Sequence, residues 1–529
     1  MNILFIPLDN RPCTMNYPEA LASMVNFTLL TPPAEYLGNY FLPGNTRKLF
    51  SWLGDMESRA DAALISIDML VHGGLIASRG SYHTAHETAR TLKHLGEWLR
   101  RRRVPMVASY NVIMRTMPTS SSSDIAKEAP RFLKIVKSLH EISLKKPARL
   151  AEEIEKAKKT LKGAISGEYF DVRRRNHEVN RQCLLWRKEG LLDCLLLGLD
   201  DVVTRGLNLY EKTLLEKFIR DESLDNAFIY PGTDEMALML LTRLACERFG
   251  EKPRYHVLYS STRGKNRPTL YEDRNVPELI SSYFGMLSFE ECPREEESID
   301  LFVHLNPHGQ QEAGFQVLGR TPRQRLMPFM QKIEESLSMD RLAAVADVAY
   351  ANGADCTLAE LLTSRFRIPS LAAYAAWNTA GNTIGTVISQ SALRWLSLRF
   401  RHLISNPAMA EKAHLAFTFS RFLDDWIYQS EVREKVKKFC THENISTYDL
   451  GSFHQRVEHL IDGVVVRRAE ALFHKILGGQ YILPLFSSRP AKVSVEEPFT
   501  CQIRLPWPRI FEIDAFCDFT LRYARGPLL

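Results

Sequence analysis

Short apolar runs of strand length recur along the chain, separated by longer segments in which apolar residues have helical spacing. Nine of these runs are continuous rather than alternating, which is typical of strands buried on both faces of a parallel sheet. They are Ile3–Leu8, Ala62–Ile67, Val104–Tyr110, Leu192–Leu199, Ala227–Tyr230, His256–Tyr259, Leu301–Leu305, Leu342–Ala346 and Leu371–Ala376. The clearest helical segments between them are His86–Arg101, Glu235–Phe249 and Thr357–Ser364.

This alternation predicts an α/β fold in which helices cover a parallel sheet. The eight or nine βα units within residues 1–390 match a (β/α)8-type barrel with a helical insertion. An open doubly wound sheet and two consecutive smaller α/β domains stay as alternatives, because hydrophobic periodicity does not report whether a sheet closes.

The pattern predicts three regions. Residues 1–390 form the α/β catalytic domain, and its insertion at about 115–190 contains the serine run Ser120–Ser123 and then Asp124, a good helix N-cap. Residues 391–480 read as amphipathic helices and form a helical module, and residues 481–529 form a small β-rich C-terminal tail. The C-terminal region is expected either to brace the α/β domain or to mediate self-association into a homo-oligomer.

Composition argues against two classes of partner. The chain of 529 residues has 68 Lys and Arg against 62 Asp and Glu, a net charge of +6, and its densest basic run is Arg100–Arg103. Because this small excess makes no basic stripe, no nucleic-acid partner is expected. No apolar stretch reaches the ~20 residues that cross a bilayer, so no membrane partner is expected either.

The cellular location is predicted to be cytoplasmic. The sequence enters an apolar run at Ile3 without a basic leader or a small-residue cleavage site, which argues against a signal peptide. Nine cysteines without C-x-x-C spacing argue against a disulfide framework, a zinc ribbon or an iron–sulfur site.

Polar residues follow almost every predicted strand. Because ligands of parallel α/β folds bind at the carboxyl ends of the strands, these residues are predicted to line one polar cleft. Carboxylates and amides hydrogen-bond sugar hydroxyls, and an aromatic ring packs on a sugar ring, so a small carbohydrate is the expected ligand. Each residue alone also suits a helix cap, as Thr233 or Asp234 does before Glu235. The predicted binding residues are Asp9, Asn10, Arg11, Asp68, His72, Arg79, Asn111, Asp234, Asp347, Asn352, Trp377 and Asn378.

The sharpest local feature is the pair Asp200 and Asp201, which follows the apolar run ending at Leu199. Adjacent carboxylates repel, which raises the pKa of one of them and leaves a neutral acid beside a charged base, as general acid catalysis requires. The same pair also suits a divalent cation or the start of a helix, so three interpretations stay open at this point.

Three further strings are distinctive: Ile6–Pro12, Ser66–Arg79 and Pro231–Glu235. Together they resemble a bacterial family known as domain of unknown function 4127. The likeness covers most of the chain. It implies no activity, so it groups these segments without naming a substrate.

The paired aspartates after the fourth predicted strand resemble those of retaining hexosaminidases of the O-GlcNAcase type, whose substrates supply a 2-acetamido group as nucleophile. The resemblance implies that Asp200 orients this group and that Asp201 protonates the leaving oxygen and then activates water. It also implies sugar contacts from Asn111, Trp377 and Asn378. In the ordinary two-carboxylate scheme, Asp201 and Glu235 would instead be acid and nucleophile at ~5 Å, or acid and base at ~7 to 9 Å.

The sequence therefore predicts a glycoside hydrolase, with N-acetylhexosaminides among its candidate substrates and with Asp200, Asp201 and Glu235 as catalytic residues. No cofactor is predicted, because neither a G-x-G-x-x-G nor a P-loop motif is present.

Two other functions stay open. One is a non-catalytic carbohydrate-binding protein that uses the same cleft. The other is a metal-dependent hydrolase of another small polar substrate, although H-x-H and H-E-x-x-H motifs are absent. Its ligand-type residues would be Asp9, Asp68, His72, Asp200, Asp234, His304 and His308.

Overall fold

Parallel strands alternate with helices through most of the chain, which makes this a mixed α/β protein. The structure is a computed structural model that describes residues 1–119, 124–163, 165–203, 205–294, 298–306, 312–313, 320–483 and 491–523. Each of the nine predicted strands overlaps an observed one.

The strands of the described residues are, in chain order, β1 (Asn2–Ile6), β2 (Thr28–Leu30), β3 (Ala62–Ser66), β4 (Val107–Ile113), β5 (Cys194–Leu199), β6 (Ala227–Pro231), β7 (Arg254–Tyr259), β8 (Glu290–Glu291), β9 (Ile299–His304), β10 (Glu312–Ala313), β11 (Leu342–Asp347), β12 (Tyr350–Ala351), β13 (Leu371–Ala375), β14 (Gly479–Leu483), β15 (Ala491–Arg504) and β16 (Asp514–Tyr523).

The α-helices are α1 (Asn16–Ser23), α2 (Thr46–Met56), α3 (Ile67–His72), α4 (Leu75–Ser78), α5 (Ala85–Arg101), α6 (Asp124–Lys145), α7 (Leu150–Thr160), α8 (Glu168–Lys188), α9 (Leu207–Asp221), α10 (Met236–Phe249), α11 (Val276–Leu287), α12 (Arg323–Ser338), α13 (Cys356–Arg365), α14 (Ala380–Arg399), α15 (Pro407–Arg421), α16 (Arg433–His442) and α17 (His454–Ile476). A π-helical segment covers Phe422–Val432. Short 3₁₀ turns cover Ala34–Tyr36, Glu57–Arg59, Pro147–Arg149, Ile368–Ser370, Arg401–Leu403 and Gly451–Phe453.

The chain divides into two compact units, which we call unit 1 and unit 2. Unit 1 comprises Met1–Met15, Thr28–Leu240 and Tyr271–Asp273. Its six strands pair in parallel in the order β2-β1-β3-β4-β5-β6. Every residue of β3, β4 and β5 is buried, because both faces of these central strands are covered, and this burial explains their continuous apolar sequence.

Three helices, α6, α7 and α8, lie between β4 and β5, where the sequence predicts a helical insertion. They share a small apolar cluster that includes Phe132, Leu150 and Tyr169, and α8 also packs on β4 and β5. The serines Ser120–Ser123, which belong to the predicted start of the insertion, lie outside the described residues.

Unit 2 comprises Asn16–Phe27, Leu241–Leu270 and Arg274–Leu529. Its parallel sheet has the order β13-β11-β9-β7-β8, and β14, β15 and β16 form a separate antiparallel sheet. The helices predicted after residue 390 and the β-rich tail are thus both present as elements. Its apolar core joins residues of α13, α17, the π-helical segment and both sheets.

The six-stranded sheet of unit 1 and the five-stranded sheet of unit 2 share a strand order. Numbered from the first strand of each unit, both follow 2-1-3-4-5, and unit 1 adds a sixth strand. This is an order of doubly wound α/β folds, in which ligands bind where the winding reverses, between the first and third strands. Those points are β1/β3 in unit 1 and β7/β9 in unit 2. Closure of the strands into a barrel and the domain boundaries near residues 390 and 480 stay predictions.

None of the described helices combines the length and the apolar character that a bilayer crossing requires.

Gly73, at the end of α3, should tolerate no side chain. Its φ is +82°, and a Cβ there would lie 2.6 Å from the backbone nitrogen of Gly44. Gly190 is a matched control, because its φ is +73° but nothing lies within 4 Å of the added atom. We expect Gly190→Ala to cost about 1 kcal/mol of unfolding free energy from backbone strain. Gly73→Ala should cost about 1 to 3 kcal/mol more, from overpacking. Urea unfolding followed by circular dichroism measures both, and equal losses would contradict the close approach.

Candidate functional site

Most of the predicted site residues lie at the carboxyl end of the unit 1 sheet, which we call the unit 1 rim. Asp9, Asn10 and Arg11 follow β1, and Asp68 and His72 lie in α3, directly after β3. Arg79 follows α4. Asp200 and Asp201 follow β5, and Asp234 and Glu235 follow β6.

Arg11 joins two carboxylates from distant parts of the chain. Its Nε donates to both oxygens of Asp9 at 3.0 Å, and its terminal nitrogens donate to Asp234 at 2.7 and 3.3 Å. In the sheet, β1 and β6 are four strand spacings apart, roughly 19 Å. The loops after these strands must therefore lean toward each other, and Arg11 ties them together.

Burial raises the pKa of Asp234, and the positive charge of Arg11 opposes this shift. The side chains of all three residues are at most 7% exposed. Arg11 thus gives two buried carboxyl groups a shared cationic partner, and either of them would be costly as an unpaired anion.

A second network surrounds the aspartate pair. Arg79 donates to Asp200 Oδ2 at 2.5 Å, and Arg115 donates to Asp201 Oδ2 at 2.9 Å. The hydroxyl of Thr119 accepts from Arg79 at 3.0 Å and from Arg115 at 2.8 Å. The two ion pairs are therefore linked through one hydroxyl group.

The inserted helix α8 positions Arg79. Arg175 and Asn176 of this helix donate to the backbone oxygen of Ser78 at 2.6 and 2.7 Å. Arg175 also donates to the backbone oxygens of Gly80 and His83. The helix thereby fixes the loop that presents Arg79 to Asp200.

The two adjacent aspartates differ in exposure. The side chain of Asp200 is 5% exposed, whereas that of Asp201 is 40% exposed. Desolvation by the surrounding protein and the charge of Asp200 raise the pKa of Asp201, although Arg115 and Arg79 oppose the shift. Asp201 is therefore the carboxyl group of the pair that can hold a proton and reach a ligand.

Asp68 is buried and has no direct ion pair among the described residues. It accepts a hydrogen bond from the backbone nitrogen of Val112 at 2.8 Å. Burial raises its pKa to about 7, with the Val112 bond and the charges of Arg175 and Arg79 acting in the opposite direction. Near neutral pH this carboxyl group is balanced between its two protonation states.

Three predicted residues are placed differently from the other rim side chains. Asn111 lies inside β4, because this strand runs to Ile113 and does not stop at Tyr110. The side-chain amide of Asn111 donates a hydrogen bond to Asn180 of α8 at 2.8 Å. This bond satisfies the amide and allows a polar side chain in a buried strand. The expectation that Asn111 follows a strand end is therefore wrong.

His72 is fully buried, and burial lowers its pKa well below the ordinary value, so it is neutral. Neither of its ring nitrogens has a hydrogen-bond partner among the described atoms. The carboxylate of Glu235 folds back against Gly232 in its own loop.

The remaining predicted residues belong to unit 2. Asp347 ends β11 and accepts from the backbone nitrogen of Asp355 at 2.7 Å, and burial raises its pKa to about 7. Trp377 follows β13, is 5% exposed and packs edge-on against Phe511. Asn352 and Asn378 join the two loops through a backbone hydrogen bond of 2.8 Å. The twelve predicted binding residues thus fall into two groups. Eight belong to unit 1, of which all but Asn111 lie at the rim, and four belong to unit 2.

Sequence reasoning missed a buried ion cluster in unit 2. Arg421 pairs with Asp425 at 2.9 Å and stands 4.0 Å over the ring of Tyr17. Asp425 also accepts from the backbone nitrogen of Ala376, directly after β13, at 2.7 Å. The only hint of this cluster in the sequence is a second Asp-Asp pair, Asp424 and Asp425. Because this pair lies in a helical region, where carboxylates are normally solvated, it did not indicate a buried cluster.

No group of three or more His, Cys, Asp or Glu side chains suited to a metal ion occurs among the residues that the structure describes. Of the ligand-type residues predicted from the sequence, His308 lies outside that part of the chain.

Comparison with known proteins identifies the family. The family model described as "Protein of unknown function (DUF4127)" matches residues 3–515, so the chain belongs to this family. Neither the curated proteins nor the solved structures yielded a match.

Removing Arg11 should expose the cost of the carboxylates that it neutralises. We expect Arg11→Met to lower the unfolding free energy by about 3 to 5 kcal/mol at pH 8, because two buried charges lose their partner. The deficit should shrink as the pH falls and Asp234, whose pKa is raised by burial, takes up a proton. Arg181→Met, which removes an exposed partner of Glu178, should change stability by less than about 0.5 kcal/mol. Urea titrations at both pH values provide the measurement, and a small, pH-independent loss would contradict this role.

Asp68 should make stability depend on pH. Its folded pKa of about 7 exceeds the unfolded value of 3.8, so the folded state holds the extra proton, and stability falls as the pH rises between these values. Asp68→Asn retains the acceptor for Val112 without a titrating group. We expect the variant to be about 4 kcal/mol more stable than the parent at pH 8 and nearly equal to it at pH 4.

The matched control is Asp225→Asn, because the Asp225 side chain is 87% exposed. This change should leave the pH dependence of thermal unfolding as it is. Destabilisation by Asp68→Asn at every pH would show instead that the folded state needs the anion.

Proposed function

We propose that this member of the DUF4127 family hydrolyses small glycosides at the unit 1 rim, with Asp201 as proton donor and with Asp200, which is held by Arg79, as the group that orients the substrate. One observation carries the proposal. Of two adjacent carboxyl groups, Asp200 is buried in an ion pair with Arg79, while Asp201 is 40% exposed and has a raised pKa. In glycoside hydrolysis, a difference in environment between two carboxyl groups lets one act as the proton donor while the other stabilises charge.

The nucleophile in this proposal is a 2-acetamido group of the substrate. Asp200 Oδ2 is occupied by Arg79, while its Oδ1 accepts no hydrogen bond from the described residues and is available to an amide N–H. The alternative nucleophile, Glu235, is folded against Gly232, which disfavours its attack on a substrate. These two observations support N-acetylhexosaminides as the substrate class.

The reaction has two steps. In the first, the acetamido oxygen attacks the anomeric carbon, the bond to the leaving oxygen breaks, and Asp201 gives its proton to that oxygen. In the second, the Asp201 carboxylate takes a proton from water, the water oxygen bonds to the anomeric carbon, and the acetamido group is restored. Asp201 is then protonated again, and one water molecule has been consumed.

Neighbouring groups at the rim support binding of a hydroxyl-rich ligand. Asp9, Arg11 and Asp234 form a cluster in which one guanidinium group bridges two carboxyl groups, and Asp68 adds a carboxyl group with a pKa of about 7. The predicted barrel closure, cytoplasmic location and self-association are compatible with this chemistry, but the proposal does not depend on them.

Replacement of Asp201 by Asn tests the acid. We expect the wild-type chain to hydrolyse N-acetylhexosaminides faster than hexosides that lack the acetamido group. Asp201→Asn should lower turnover of an alkyl N-acetylhexosaminide by about 10²-fold or more. The loss should be smaller for the 4-nitrophenyl substrate, whose leaving group needs less protonation. Activity of the parent should fall as the pH rises past the raised pKa of Asp201, because the acid form is required.

The control is Asp221→Asn on α9, an exposed aspartate paired with Lys217, which should retain full turnover. Both assays are run with and without a chelator. Loss of activity in chelator would favour a metal-dependent hydrolase, and saturable sugar binding without turnover would favour a binding protein. Equal turnover by Asp201→Asn and the parent on the alkyl substrate would refute the assigned acid.

A further inference from the structure

A cavity of about 500 Å³ opens in unit 2 where the winding of its sheet reverses, between β7 and β9. It is lined by Ser260, which follows β7, and by His304, the last residue of β9. Thr321, Arg263 and Arg325 are among its other polar lining residues. This is the position at which doubly wound sheets bind ligands, and the glycosidase proposal does not use it.

Three side chains in this place form a continuous hydrogen-bond chain. Ser260 Oγ lies 2.9 Å from His304 Nδ1, and His304 Nε2 lies 3.1 Å from Asp355 Oδ2. His304 and Asp355 are at most 1% exposed, whereas Ser260 is half-buried and borders the cavity. The hydroxyl at the end of the chain is therefore the member that a ligand can reach.

Asp355 is fixed as an anion. It is the N-cap of α13 and accepts from the backbone nitrogen of Thr357 at 2.9 Å, and it also accepts from that of Thr321 at 2.9 Å. Burial acts to raise its pKa, but the hydrogen bond and charge of His304 and the bond from Thr321 outweigh this effect and lower the pKa. Because an ionised carboxylate only accepts hydrogen bonds, the proton of neutral His304 must sit on Nε2. Nδ1 then keeps its lone pair and faces the hydroxyl of Ser260.

We propose that Ser260 is the nucleophile of an ester-hydrolysing site, with His304 as its base and Asp355 as a positioning residue. The proposal rests on an activated-nucleophile geometry: a hydroxyl and a base within hydrogen-bond reach, and the base oriented by a third group. Ser260 Oγ also accepts from the backbone nitrogen of Leu305 at 2.9 Å. Its second lone pair remains for attack on a carbonyl carbon.

The chemistry needs only the ester and water. Ser260 Oγ bonds to the carbonyl carbon while its proton moves to His304 Nδ1, the bond to the leaving alkoxide breaks, and His304 returns the proton to that alkoxide. Water then gives a proton to Nδ1 and its oxygen bonds to the acyl carbon. The bond to Oγ breaks, the carboxylic acid leaves, and Ser260 regains its proton.

The substrate class follows from the cationic wall. Arg263 and Arg325 are exposed, and neither has a carboxylate partner among the side chains that the structure describes. Two guanidinium groups that line the cavity of the nucleophile favour an ester whose acyl or alcohol part carries a negative charge. Anionic esters are therefore the expected substrates.

Covalent labelling of the full chain with a fluorophosphonate tests the nucleophile. Attack by Ser260 would form a bond to phosphorus and expel fluoride, leaving a stable adduct whose position is found by peptide mass spectrometry. We expect the adduct on Ser260 in the unmodified chain and none at that position in Ser260→Ala. Ser338→Ala, which removes an exposed serine at the end of α12, should be labelled as the parent is.

The partners of Ser260 are tested by rate and pH. His304→Asn and Asp355→Asn should slow labelling by about 10² to 10⁴-fold. In the parent, the labelling rate should rise with pH as His304 loses its second proton. Burial acts to lower the pKa of His304, but Asp355 and Asp347 raise it, and the arginines Arg263 and Arg325 line the same cavity as this histidine.

A second variant covers the case in which Ser260→Ala does not fold. Ser260→Cys should react with iodoacetamide at neutral pH, because His304 would favour the thiolate, while buried cysteines such as Cys246 and Cys356 have raised pKa values. Absence of a Ser260 adduct in the unmodified chain, or a labelling rate unchanged by Asp355→Asn, would overturn the proposal. Neither result depends on glycoside turnover, so the proposal for this site and the proposal for the unit 1 rim are tested independently.

Discussion

The cost of burying charge at the ends of parallel strands governs both units of this protein. Each carboxylate placed there must find a cation, a set of N–H donors or a proton, since an uncompensated anion in the interior costs several kcal/mol. At the unit 1 rim, Arg11 forms ion pairs with Asp9 and Asp234, and Arg79 forms an ion pair with Asp200. These ion pairs thereby connect loops from distant parts of the chain. The same ion pairs determine which carboxyl group is free to act as the proposed proton donor.

Unit 2 meets the same constraint with different groups. There a histidine lies between a serine and a carboxylate, and the carboxylate is satisfied by backbone N–H groups at a helix start. The first five strands have the same order in both units, so each sheet has a reversal point between its first and third strands, where doubly wound folds bind ligands. The same strand order therefore supports two different sets of side chains. Unit 1 has aspartates paired with arginines, and unit 2 has a serine hydroxyl hydrogen-bonded to a histidine.

The elements of the fold could be predicted from the sequence where they depend on a short, local pattern of residues. Continuous apolar runs are visible in the sequence because a strand covered on both faces has no solvent side, and all nine predicted strands overlap observed ones. The ends of strands leave a weaker signal in the sequence. Asn111 is polar yet lies inside β4, because Asn180 of α8 satisfies its amide, and a partner about seventy residues away leaves no trace in a short window. Glu235 follows a strand, as predicted, but the fold of its own loop turns the side chain toward Gly232.

The sequence by itself determined the strands, their parallel character and the presence of acids, amides and arginines after them, because these depend on periodicity and on chain direction. Only the tertiary structure decided which of those groups meet. Arg11 and Asp234 are 223 residues apart, and Ser260, His304 and Asp355 come from three separate segments. Their pairing depends on strand order and on loop paths, and a pKa depends on burial and on neighbouring charges in space. None of these quantities is a property of a local stretch of chain.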